Sequence, residues 1–293
     1  MRRILEIDCP ARLSLRNSQI VLKSSDETAQ APLEDVSVLV LTHPQISVTH
    51  CLLGACSEAG VVVIICNSRR LPESVLLPLS GASLHTKYLA QQVNMTQRVK
   101  DRLWKQVVQA KISEQAYTLK LAGGKPRSVK CLVSRVRVGD STHCEARAAA
   151  NYWPLLLGSS FRRDPLEPDV NALLNYGYAL IRAAVARAIV ATGLHPSLGI
   201  HHHSQYDSLC LADDLMEPLR PRVDTRVFEL TADQGLDVPM TRENKHHLLK
   251  TLTETCNIDD VEMPMVTALQ RYAASLRHVI GGKRKELVIP GRL

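Results

Sequence analysis

The chain has 293 residues, 45% of them hydrophobic, and a formal net charge of +7. That length supports one large domain or two ordinary ones with self-sufficient cores, and the apolar content excludes a disordered chain. No uncharged apolar run reaches the roughly 20 residues of a membrane helix, no secretory leader pattern opens the chain, and none of eight cysteines forms a C-x-x-C pair; a cytoplasmic, reduced protein without a zinc ribbon or a membrane is expected.

Strands are predicted first. Residues 3–8, 13–15 and 19–23 alternate in part, 35–41 is rich in β-branched residues, and 60–66 is a continuous apolar run of the buried kind. Asn17-Ser18, Ser24-Ser25-Asp26 and Asn67-Ser68 mark turns, and 49–59 reads as one helix. The stretch 71–82 holds Pro72, Pro78 and Gly81 and reads as the approach to a linker. The organisation predicted is a β-rich domain at 1–75, a linker at 76–83 and a helical domain at 84–293.

The second part changes period. Helices are predicted at 83–93 and at 96–121, where Val99, Leu103, Val107, Val108 and Ile112 keep helical spacing until Gly123-Gly124-Lys125-Pro126 breaks it. Further helices are predicted at 142–157, 208–217, 241–256 and 260–280. The segment 169–192 is apolar on nearly every face, opened by Pro168-Asp169 and closed by Gly193, and is expected to be buried. The fold class expected is α+β, a small N-terminal β domain followed by a large all-α domain.

Three features could carry chemistry. Gly199-Ile200-His201-His202-His203 offers imidazoles, common metal ligands, but adjacent side chains rarely reach one ion, and alone the run reads as a polar loop. Asp213, Asp214 and Glu217 lie within five residues; like charges repel unless a cation sits between them, yet a solvated acidic face balanced by Arg220 and Arg222 explains them as well. Glu145 follows Thr142 by three residues, the spacing of a capping box, and the residue pattern alone prefers that role. Together the three make a hypothetical Glu/His/Glu cation site, whose donors suit Mg²⁺ or Mn²⁺. On a basic protein such a site fits phosphodiester chemistry, although the charge alone fits an ordinary soluble protein equally.

Three motifs then carry a resemblance. They are 145–153 (Glu-Ala-Arg-Ala-Ala-Ala-Asn-Tyr-Trp), Asp164-Pro165 with 171–180, and the run from Gly193-Leu194-His195-Pro196 through Gly199-Ile200-His201-His202 to 213–224. In this order the chain closely resembles the CRISPR-associated endonuclease one family, the spacer-acquisition integrases. Pro32 to Val36 and Gly60 to Ile64 also resemble that family's N-terminal β-sandwich. The paired histidines and the Asp-Asp-Leu-Met-Glu-Pro form look most like the branch found beside RNA-guided effector nucleases, the type II systems.

The resemblance implies a metal-dependent DNA endonuclease and integrase that inserts short double-stranded DNA spacers into the CRISPR array by 3′-hydroxyl transesterification. Glu145, His202 and Glu217 match the family's catalytic metal ligands, with Mg²⁺ or Mn²⁺ as cofactor and Asp214 and His201 as supporting residues. Arg162, Arg163, Arg220, Arg222, Lys283, Arg284 and Lys285 become candidate phosphate contacts. The partners implied are spacer-precursor and repeat DNA, a second copy through the N-terminal domain, CRISPR-associated protein two, and the RNA-guided effector nuclease. The competing reading is a non-catalytic DNA-binding scaffold of the same fold; an unrelated zinc hydrolase built on His201 to His203 ranks last, because no H-E-x-x-H motif exists.

Overall fold

The computed structural model describes residues 3–25, 27–77, 84–167 and 169–293. The expected turn residue Asp26, most of the expected linker, the expected helix start at Ser83 and Pro168 lie outside them. The chain has a mixed α+β fold and divides into two compact units, Met1–Leu79 and Ser80–Leu293.

Among the described residues the first unit holds eight strands and one α-helix. In chain order they are β1 (Arg3–Ile7), β2 (Ala11–Arg16), β3 (Gln19–Lys23), β4 (Thr28–Pro32), β5 (Val36–Leu41), β6 (Ile46–Val48), α1 (His50–Ala59), β7 (Val62–Cys66) and β8 (Pro72–Val75). They form two four-stranded sheets, ordered β1-β5-β7-β8 and β4-β3-β2-β6. β5 runs parallel to both β1 and β7, and all six of its residues are buried, as a central parallel strand requires. Leu13 and Ile20 of one sheet, Leu39 and Val63 of the other, and Leu52 and Cys56 of α1 share one core. Asn17 and Ser18, with φ of 48° and 58°, make the tight turn between β2 and β3. β4, β6 and β8 were not predicted. β8 begins inside the stretch read as the approach to the linker, and its Pro72 is tolerated as the first residue of a strand.

The second unit is built around α3 (Gln97–Leu121), preceded by α2 (His85–Val93). After a short α4 (Arg127–Lys130) come α5 (Cys144–Leu157), α6 (Val170–Ala191), α7 (Cys210–Met216), α8 (Arg220–Gln234) and α9 (Arg242–Leu249). A hairpin, β9 (Thr255–Ile258) and β10 (Val261–Pro264), precedes α10 (Met265–Ile280). The hairpin corrects the all-α expectation: 241–256 and 260–280 were each read as a helix, but α9 ends at Leu249, α10 begins at Met265, and between them the chain turns at Asp259 and Asp260, whose φ of 55° and 59° fit a two-residue turn. α8 was also missed. Its Pro221 sits in the first turn, where its missing N–H is no loss.

α6 is the exception to the expectation that no segment could span a membrane. It is long and apolar enough by length and composition, yet 78% of its apolar window is buried inside this unit. Asp169 caps it by accepting from the Asn171 amide. α6 meets α8 at Gly177. A methyl group there would strike the fully buried Val223 side chain, so the helices approach as closely as glycine permits.

Candidate active site

α3 supplies the floor of the site. Leu103, Trp104, Val107, Val108 and Ile112 are buried on its inner face, and Lys111, Gln115 and Thr118 lie in the same stripe. A lysine in an apolar stripe needs an anionic partner. Lys111 has two: its Nζ lies 2.6 Å from Glu145 Oε1 and 2.5 Å from Glu217 Oε2.

Glu145 is free to face Lys111 because another residue caps α5. The Asp140 carboxylate accepts from the Cys144 and Glu145 amides at 2.9 and 3.0 Å. The expected capping box does not form; Thr142 Oγ1 donates instead to the Arg135 carbonyl. Glu217 follows α7 directly and is buried. Arg220 Nε donates to its other oxygen at 2.8 Å, and the Arg220 guanidinium lies 4.6 Å from the Tyr178 ring centroid. Burial pushes the Glu217 carboxyl upward, but the charges of Lys111 and Arg220 outweigh it and hold it at about 2.

His202 is positioned by a second carboxylate. Asp214, fully buried on α7, accepts from the amides of Ile200, His201 and His202 at 2.5, 3.0 and 3.0 Å. Its Oδ1 lies 2.7 Å from His202 Nδ1, and this hydrogen bond lifts the imidazole above its ordinary pKa. Nδ1 is thereby engaged, and Nε2 is the ring nitrogen left for a ligand. Gly199 makes the wrap possible: a Cβ there would come within 2.8 Å of Asp214 Oδ2. The loop is tied at its start by Gln92, which donates to the His195 and Leu198 carbonyls at 2.9 Å and accepts from the His195 amide. His201 stacks on buried Trp104, ring centroids 4.1 Å apart, and meets His202 edge to face. His203 turns back to the His201 carbonyl.

The acidic run therefore faces three ways. Asp213 pairs with Arg182 at 2.6 Å, Asp214 holds the histidine loop, and only Glu217 reaches Lys111. Among the described residues no three His, Cys, Asp or Glu side chains converge on one point; the expected trio is present as a convergent Glu145–Glu217 pair with His202 held on Asp214. The donor set itself, two carboxylates already gathered on a single cationic nitrogen, fits a divalent ion.

Beside the pair lies a buried tyrosine–aspartate knot. Tyr152 of α5 and Tyr178 of α6 donate to the two oxygens of Asp224 on α8 at 2.9 and 2.5 Å. Burial outweighs these bonds and raises the Asp224 carboxyl to about 6. A raised acid favours the protonated fold, so its contribution is fully present below the unfolded pKa near 4 and is lost as pH rises through about 6. Asp224→Asn should remove that loss, a gain on the order of 3 kcal/mol above pH 7. Thermal midpoints of both proteins between pH 4 and 8 check it; parallel curves would refute it.

Several expected phosphate contacts are structural. Arg222 is fully buried, reaching Glu254 at 2.5 Å and the Pro290 carbonyl at 3.2 Å. Arg220 is spent on Glu217, and Arg163 donates to Asn171 and Asn175. Arg162, Lys283, Arg284 and Lys285 are exposed, with Arg284 paired to Asp259 at 3.1 Å. Lys111, Trp104, Asp140 and the Asp224 knot were missed. The signal for Lys111 was legible: one cation at the i+3 and i+4 positions from Val108 and Val107.

The comparisons agree with one another. The sequence model of the family described as CRISPR associated protein Cas1 matches residues 7–256. The CRISPR-associated endonuclease Cas1 of Neisseria meningitidis serogroup C (strain 8013) is 34% identical over 291 residues, covering 98% of this chain and 95% of that protein. Two solved structures share the fold at 18% identity. A casposase bound to integration product has a TM-score of 0.78 over 99% of this chain and 93% of its own. A Cas6-RT-Cas1–Cas2 complex has a TM-score of 0.70 over 97% of this chain and 35% of its own.

Proposed function

Because the chain belongs to the CRISPR associated protein Cas1 family, with its endonuclease and integrase-type function, we propose that its helical unit joins DNA ends to a CRISPR array by metal-dependent transesterification. The observation that carries this is the meeting of Glu145 and Glu217 on one cationic centre, with the His202 ring oriented beside them by Asp214. Mg²⁺ or Mn²⁺ held by Glu145, Glu217 and His202 Nε2 would supply Lewis-acid polarisation of the phosphodiester. The attacking 3′-hydroxyl comes from the spacer DNA; its oxygen forms the new P–O bond as the P–O3′ bond of the array strand breaks, and no side chain is the nucleophile. The protein's part is to gather the carboxylates, fix the imidazole through Asp214, and neutralise phosphate charge with the exposed cations.

The organisation proposed is a β-sandwich dimerisation domain at 1–75, the linker at 76–83 and the catalytic domain at 84–293. Pairs of such dimers would flank Cas2, a partner named with Cas1 in one structural relative. The form of the motif at 213–218 supports placement in the type II branch, where the effector nuclease is a further partner. Buried free cysteines such as Cys56, Cys144 and Cys210 fit a reducing cytoplasm.

The test is joining of a labelled short duplex to a supercoiled plasmid carrying leader and repeat, with Cas2, in Mg²⁺ or Mn²⁺. Label should become covalent, and should be lost with EDTA or with His202→Ala; full joining by His202→Ala would remove the assignment. Duplex affinity should fall roughly a thousandfold or more between about 50 and 200 mM salt as counterion release is lost. Filter binding across that range checks it; a flat response would argue against phosphate contacts by Arg162, Lys283 and Lys285.

A further inference from the structure

Lys111 does more than neutralise a buried acid. Its ammonium touches both carboxylates that the proposed function gives to a divalent ion. Lys111 and Arg220 against Glu145 and Glu217 give this cluster zero formal charge. Without Lys111, two carboxylates would face each other near an apolar wall of Val107, Val108 and Ile112, at a repulsive cost. The Lys111 side chain as a whole is 14% exposed, a path by which its ammonium can swing to solvent on its flexible stem.

We propose that Lys111 is a positioning residue that occupies the cation's place, holding Glu145 and Glu217 convergent in the empty site and leaving it when the divalent ion binds. The inference rests on the reading of those carboxylates as cation ligands. Two consequences follow. The empty site is pre-shaped, so ligand carboxylates need not be gathered at the moment of binding. The ion must also displace the ammonium, so apparent affinity is lowered by the fraction of time Lys111 is away.

The experiment is Mn²⁺ titration of the purified full-length protein by calorimetry, with thermal midpoints measured with and without the ion. Lys111→Met, which keeps the stem and removes the charge, should bind Mn²⁺ roughly tenfold tighter or more. It should also melt lower without Mn²⁺ and gain more from it. Lys111→Arg, which restores a cation, should return the affinity toward wild type. A second measurement does not depend on the variants folding: acylation of Lys111 in the wild-type protein, followed by mass spectrometry, should rise several-fold when Mn²⁺ is added. Equal or weaker Mn²⁺ binding by Lys111→Met, or acylation that Mn²⁺ leaves unchanged or suppresses, overturns the proposal while the cation-dependent reading stands. Mn²⁺ bound by neither protein removes both.

Discussion

Glu217→Ala should abolish DNA joining, by roughly 10³-fold or more, while the protein stays folded at 25 °C. The carboxylate is the element shared by both cations of the site, with Lys111 on one oxygen and Arg220 on the other. Deleting it removes a proposed ligand and leaves the half-buried Arg220 guanidinium without its carboxylate, a loss of about 1–3 kcal/mol. Glu217→Asp keeps the charge on a shorter arm and should retain most joining. The acid limb provides an independent check. The Glu217 carboxyl is held at about 2 in the fold and titrates near 4.5 when exposed. Its stabilisation is therefore full above roughly pH 5 and is lost as pH falls toward 2. Melting curves between pH 2 and 6 should show a shallower acid fall for Glu217→Ala than for the wild type. An active alanine variant, or identical acid limbs, would contradict this account.

Asp214→Asn should do more damage to the fold and as much to activity. This carboxylate accepts from three consecutive amides and one imidazole with no solvent exposure. The amide presents one oxygen where two acceptors are needed and turns its NH₂ toward N–H groups. Each charged hydrogen bond is worth about 1.5–3 kcal/mol, and an unmet buried donor about as much, so a loss of roughly 3–5 kcal/mol is expected. For a unit of this size that is a fall of roughly 10 °C in thermal midpoint. The discriminating readout is hydrogen exchange at residues 200–202, whose amides should exchange far faster in the variant. Unchanged protection there would show that the loop is held by something other than Asp214.

The course of the chain was legible where one physical signal dominated. Buried β5, the apolar β7 with its first three residues buried, the uniformly apolar α6 and the long α3 announced themselves through period and composition. β4, with one buried residue, and β6, three residues long, carry too little pattern to see. α8 was hidden because Pro221 reads as a breaker until its place in the first turn is known. At the site, Glu145, His202 and Glu217 were reached through motif order, but their surroundings were not. Asp140 caps α5 from four residues upstream, and Lys111 meets partners 34 and 106 residues away. Such pairings depend on tertiary packing, which local spacing does not encode. The misassigned arginines make the same point: Arg222 looks like any surface cation until Glu254 and Pro290 enclose it.

The contact of Gly177 with Val223 constrains how this sequence can drift over time. The two residues flanking the contact on either helix are Tyr178 and Asp224, so the separation of α6 and α8 also sets the reach of the Tyr178 hydroxyl to the Asp224 carboxylate. A lineage that acquires alanine at position 177 must either push the helices apart and stretch that bond, or shrink position 223 in compensation. The two sites are thus bound to vary as a pair, with Gly177→Ala harmful alone and tolerated beside Val223→Ala. The close approach of α6 and α8 is thus held jointly by positions 177 and 223, and neither is free to change alone.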